Sequence, residues 1–117
     1  MKQIVNLERI LEEGSKKYKY NYILTKNDLS VSVEDGCVEV PAYGIIVEIE
    51  YYINGDFLGI DKDSIENISP YRHNVQEMLK LLYEKVVSPV HLVDVLGEKV
   101  DKCVSDFEST DVIVKEM

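Results

Sequence analysis

Between Tyr18 and Ile60 the chain keeps a hydrophobic period of two. Three dipeptides inside that stretch, Lys26-Asn27, Asp35-Gly36 and Asn54-Gly55, have turn composition. Each turn can be tested by the residues it would place opposite. A turn at Lys26-Asn27 sets Leu24 against Leu29 and Tyr22 against Val31. One at Asp35-Gly36 sets Val33 against Val38 and Val31 against Val40, and one at Asn54-Gly55 sets Tyr51 against Leu58 and Ile49 against Ile60. Every pairing puts apolar against apolar, and a one-residue slip would turn each apolar set to the other face. Pro41 to Gly44 interrupts the pattern as a bulge or a further turn. The pattern predicts an antiparallel meander of four or five strands over about 17–60.

Two Ser-Pro pairs predict helix starts downstream. A serine oxygen accepts from free first-turn N–H groups, and proline at the first helical position gives up only an N–H that had no partner. Ser69-Pro70 precedes the stripe Val75, Met78, Leu79, Leu82 and Val86. Ser88-Pro89 precedes Leu92, Val93, Leu96, Val100, Cys103, Val104 and Phe107. Together they predict a helical hairpin over 69–107. Gly97 lies inside the second helix at a cost of ~1 kcal/mol relative to alanine, for which close packing is the expected reason. Ile4, Leu7, Ile10 and Leu11 have helical spacing before Gly14, which predicts a short N-terminal helix over 2–13. DKDSIENI reads as a linker, and Val112 to Val114 as a frayed end or a short strand. The expected fold is a single α+β domain over 1–117, with the meander packed on the hairpin.

Charge is uneven. The net charge is −9; residues 1–27 hold six basic and three acidic side chains, whereas residues 28–70 hold one basic and ten acidic. An acidic strand region repels phosphate backbones, so direct nucleic-acid binding is not expected. No stretch reaches the roughly 18 apolar residues of a membrane span, and the charged start is unlike a secretory signal. Cys37 and Cys103 lie far apart and read as free thiols of a reducing cytoplasm.

No catalytic, metal or cofactor motif emerges. His73 shares a helical face with Glu77, Lys80 and Glu84, and His91 with Asp94, Glu98 and Lys102, so both read as solvated. Ser69 and Ser88 are accounted for as caps. Glu48 and Glu50 share a strand face that explains them without catalysis. The outer face of the sheet says more: the expected pairings place Ile23, Glu34, Cys37, Glu39, Ile46, Glu48, Glu50, Tyr52 and Phe57 there. Such a mixture of aromatic, apolar and acidic groups calls for a cover, which the N-terminal helix would supply, or for a partner.

The segment ISPYRHNVQEMLKLLYEKVVSPVHLVDVL, preceded by YGIIVEIEYY, resembles a family of small clostridial proteins classed as a domain of unknown function. The resemblance is carried by Ile68-Ser69, Arg72, Leu81-Leu82, Val87-Ser88-Pro89, His91-Leu92 and Asp94-Val95, about half the chain. It implies a bacterial cytoplasmic protein and no mechanism. The leading expectation is a non-enzymatic interaction or regulatory module that binds a protein or its own copy through Ile46, Glu48, Glu50, Tyr52 and Phe57, with His91 as a further surface residue. The alternatives are an inhibitor of phage or mobile-element origin whose acidic strands imitate nucleic acid, and a small enzyme using His73 or His91 with a neighbouring carboxylate.

Overall fold

A computed structural model describes residues 2–103, 106 and 107. Four long strands run in chain order across one antiparallel sheet: β1 (Lys2–Glu13), β2 (Lys16–Val33), β3 (Gly36–Ile53) and β4 (Asp56–Ser69). Two helices follow, α1 (Arg72–Lys85) and α2 (Leu92–Lys102), the second preceded by a 3-10 turn over Pro89–His91. The meander and the α+β class stand as expected.

The N-terminal helix does not form. Residues 2–13 are instead an edge strand, because Val5, Leu7, Arg9 and Leu11 also alternate, and Val5 and Leu7 pack on the core while Ile10 stays exposed. Gly14 starts a two-residue hairpin turn rather than ending a helix. Its φ of 60° in the first central position is the pattern of a type II′ turn, and it sets Glu13 opposite Lys16 and Glu12 opposite Lys17. The N-terminal segment therefore widens the sheet instead of covering it.

Only one of the three expected turns keeps its place. Asn54 and Gly55 both have positive φ, 50° and 84°, as a type I′ turn requires. Lys26-Asn27 is not a turn, since β2 runs straight through it to Val33. The next turn falls on Glu34-Asp35 and pairs Val31 with Val38 and Leu29 with Val40. That is a two-residue slip from the expected register, and a period-two pattern cannot detect it. Pro41 to Gly44 is neither turn nor break, for β3 is continuous. Pro41 lies beyond Tyr43, the last residue of β3 paired to β4, so its missing N–H falls where β3 is locally an edge. Because the β2–β3 register is constant, Leu29, Val31, Val38 and Val40 share the face of Ile23 and Ile46, and Cys37 and Glu39 turn to the other.

The presumed linker is strand. Asp61 to Ile65 pair with β3, and at Gly44 the strand bulges: a Cβ there would sit 2.7 Å from the Ile65 carbonyl oxygen. Asn67, at φ 53°, redirects the chain so that Ile68 and Ser69 turn inward. A second bulge leaves Leu58 unpaired, so Tyr51 faces Gly59 and Ile49 faces Asp61, not Leu58 and Ile60.

The core lies between the middle of the sheet and the helices. Tyr22, Leu24, Ile45 and Val47 meet Val75, Leu79, Leu82, Leu92 and Leu96, all fully buried. The Tyr22 hydroxyl donates to the Val87 carbonyl at 3.0 Å, and burial pushes its pKa up. The helices begin later than expected. Ser69 does not cap α1: its Oγ accepts from Tyr71 N–H at 3.1 Å and donates to Asp106 at 2.7 Å, and Asp106 also accepts from Asn74. Ser88 precedes the 3-10 turn with no side-chain capping bond. Nothing lies within 4 Å of a Cβ built at Gly97, so close packing does not explain that glycine. Val104 and Val112 to Val114 lie outside the described residues.

Candidate functional site

On the outer face the sheet builds one connected polar network. Register sets Glu8, Asn21, Glu48 and Lys62 in one cross-strand row and Ile10, Lys19, Glu50 and Ile60 in the next. Glu50 accepts from Asn21 Nδ2 at 2.9 Å and from the Tyr52 hydroxyl at 3.0 Å, and Lys19 Nζ lies between Glu8 at 3.4 Å and Glu50 at 3.9 Å. The Asn21 hydrogen bond, with help from Tyr52, Lys19 and Lys17, holds the Glu50 carboxyl below its ordinary pKa. Glu48 pairs with Lys62 at 3.7 Å. Both glutamates thus have partners within the chain that anchor them.

Tyr52 and Phe57, opposite one another across the β3–β4 turn, make an edge-to-face contact at 5.6 Å, and Lys17 Nζ sits 5.2 Å over the Tyr52 ring. Phe57 remains 55% exposed. Ile46 is placed differently from expectation. Its side chain is 2% exposed beside Ile23, so it offers no contact surface.

The histidines stand apart from this face. His91 ends the 3-10 turn in the helical layer, exposed, with Nδ1 3.8 Å from Asp94. His73, on the exposed side of α1, lines a shallow groove with Glu77, Lys99, Lys102, Cys103 and Asp106. Burial and Asp106 raise the Cys103 pKa and so keep the thiol protonated. Cys37 is exposed and both cysteines are free. Among the described residues no three metal-ligating side chains converge, and no helix is long and apolar enough to cross a membrane.

The sequence reading missed a second feature, on the helix side of the sheet. The strands outrun the helices toward the Gly14-Ser15 and Asn54-Gly55 turns, which are joined by an Asn54 N–H to Ser15 carbonyl bond of 2.9 Å. There, Leu11, Tyr18, Tyr51 and Gly59 form one row across all four strands, with the unpaired Leu58 beside it. Tyr18 and Tyr51 meet edge-to-face at 5.8 Å. A hollow of about 420 Å³ lies over Tyr18, Tyr51, Ile53 and Leu58. It adjoins one of about 430 Å³ bounded by Ile49, Tyr51, Asp61, Asp63, Pro89 and Val90. The Tyr51 hydroxyl donates to Asp61 at 2.6 Å, and its pKa is pushed up to about 12, chiefly by that bond. Across the sheet, Arg9 lies 4.4 Å over the Tyr83 ring. Extending β1 as a strand is what brings Leu11 and Arg9 onto this face, and no helix reading of 2–13 could have placed them there.

Fold and surface together define a two-layer α+β protein: a four-stranded antiparallel meander half covered by two C-terminal helices. The chain belongs to a family of unknown function (DUF6514), which matches residues 1–102. The match takes in the strand region as well as the helices. No curated protein and no solved structure matches the chain.

Proposed function

We propose that this protein is a non-enzymatic interaction module that contacts another protein through the turn end of its sheet. One observation carries the reading: Ile10, Leu11, Phe57, Leu58 and Ile60 are each 40% exposed or more, and all lie on the two edge strands at that end. Phe57, Leu58 and Ile60 follow closely along one edge strand, and such a run of exposed aliphatic and aromatic groups is what interface cores are built from, whereas scattered ones need no explanation; Ile10 and Leu11 stand at the opposite edge. On the outer face Phe57 and Tyr52 stand beside the anchored Glu48 and Glu50, so the surface combines a rigid aromatic contact with fixed negative charge. A partner with basic groups around an apolar contact fits it.

Native mass spectrometry of the purified protein, with capture from its source lysate by wild type and Phe57→Ser, tests the reading. The expected result is a defined partner or a dimer that the exposed-site variant weakens. A strict monomer that retains nothing overturns it.

A further inference from the structure

The uncovered half of the helix-side face has the size, floor and charge pattern of a seat for one more helix. From the row of Tyr20 and Ile49 to the row of Lys16 and Ile53 is four residues, ~14 Å at the rise of a strand, and four strands span ~15–19 Å. That area takes one helix of ~10 Å diameter lying across the strands for about ten residues. Its floor is supplied by every strand: Leu11, Tyr18, Tyr51 with Ile53, and Leu58.

Three arguments select the occupant. A sheet face, unlike a sheet edge, presents side chains and no backbone partners, so an extended segment laid on it would leave its own N–H and C=O groups unpaired; a helix satisfies its own. The charge at the β4 side is negative. Asp56, Asp61 and Asp63 make no ion pair with a cation among the described residues, and Lys62 is engaged by Glu48. A second copy of the chain fits badly, because the face-to-face arrangement that keeps the two helical layers from colliding lays β4 on β4 and sets these aspartates against their own copies.

We propose that this trough receives an amphipathic helix of a partner protein, apolar toward Tyr18, Tyr51 and Leu58 and carrying lysine or arginine where it crosses β4. The inference rests on the interaction reading above and names the chemistry of the partner. Helix packing on the exposed rings supplies the contact, and the aspartates set the orientation.

The test uses the full, isotope-labelled protein and two peptides of about 18 residues, long enough to be helical on a surface, with leucines at i, i+3, i+4 and i+7. One peptide has lysine flanks; in the other every lysine is glutamate. The expected result is saturable amide shifts centred on Leu11, Tyr18, Tyr51 and Leu58 with the lysine peptide, and affinity about tenfold lower or worse for the glutamate peptide. Leu58→Asp and Tyr18→Ser lower the affinity about tenfold, while Val93→Ser, at an exposed position of α2 away from the trough, leaves it unchanged. Leu58 is 60% exposed, so Leu58→Asp folds, which a thermal scan verifies. Equal binding of both peptides, no saturable binding, or shifts centred on Phe57 overturns the trough. Should a lysate partner be lost with Phe57→Ser but kept with Leu58→Asp, the trough fails while the interaction reading stands. Should neither peptide nor partner bind and the chain be monomeric, both fail.

Discussion

Val86 ends α1 in the left-handed region, at φ 52° and ψ 51°, a conformation that crowds the Cβ of any L residue and is least tolerant of a β-branched one. The position is nonetheless required. Val86 N–H reaches the Tyr83 carbonyl at 3.4 Å and Val87 N–H the Leu82 carbonyl at 3.1 Å, the paired bonds of a Schellman ending that aims Val87 into the core. The strain costs ~1–2 kcal/mol. Val86→Gly removes it, but glycine returns ~0.4–1 kcal/mol through its freer unfolded chain, and part of the valine's packing is lost. Val86→Ala loses the same methyls and keeps the Cβ, so the comparison of the two variants isolates the backbone. Glycine should be the more stable by ~0.5–1 kcal/mol, about 2–4 °C in Tm for a chain of this size. The exposed Lys80, in the middle of α1, is the control: there glycine should be less stable than alanine by ~1 kcal/mol. Urea and thermal unfolding of the four variants measure both differences. If Val86→Gly is no more stable than Val86→Ala, the left-handed ending is not the conformation in solution and the reasoning fails.

Gly44→Ala should destabilise by ~2–3 kcal/mol in urea unfolding, since the added methyl meets the Ile65 carbonyl at 2.7 Å and backbone on both sides of the bulge must shift. Glu50→Gln should lower stability at neutral pH by an amount that shrinks in acid. The folded pKa of Glu50 lies below the ordinary 4.5, so its contribution is present above that value and is lost as pH falls through the folded pKa; a gap between variant and wild type that stays constant from pH 7 to acid denaturation would refute this.

How far the fold could be read from residue types depended on which alternatives the pattern could separate. A period of two tells one face from the other but is blind to a slip of two. The meander was therefore legible while the turn at Glu34-Asp35 was not. Asn54-Gly55 was legible because its two residues tolerate the positive φ that the turn needs. Residues 2–13 satisfied both periods. What decided between them was long-range pairing, with Glu12 and Glu13 set against Lys17 and Lys16 across Gly14-Ser15, and a propensity reading does not weigh such pairs. The second half of β4, from Asp61 on, passed for a linker because the run of charge at Asp61, Lys62 and Asp63, which protects a sheet edge from other chains, resembles the composition of a loop.

The surface was harder to read than the fold for a related reason. The outer-face residues Glu48, Glu50, Tyr52 and Phe57 lie on two strands joined by a strong turn signal, so local alternation brought them together correctly. Ile46 is on that same face, yet register partners on both sides bury it, and burial depends on neighbours that alternation does not name. The trough draws one residue or more from each strand. Leu11 joins it only if 2–13 is a strand, and the bulge beyond Phe57 leaves Leu58 at its rim. Without that bulge Leu58 would pair with Tyr51 and Ile60 with Ile49, and both would belong to the helix-side face. With it, Ile60 turns to the outer face beside Glu50, and Leu58 is left unpaired at the border of the two. The same single-residue insertion therefore supplies exposed apolar groups to both candidate surfaces. Deleting Leu58 should remove the bulge while keeping Gly59 opposite Tyr51 and Ile60 opposite Glu50, so that amide shifts and binding change at the helix-side face, as with Leu58→Asp, and Ile60 stays on the outer face.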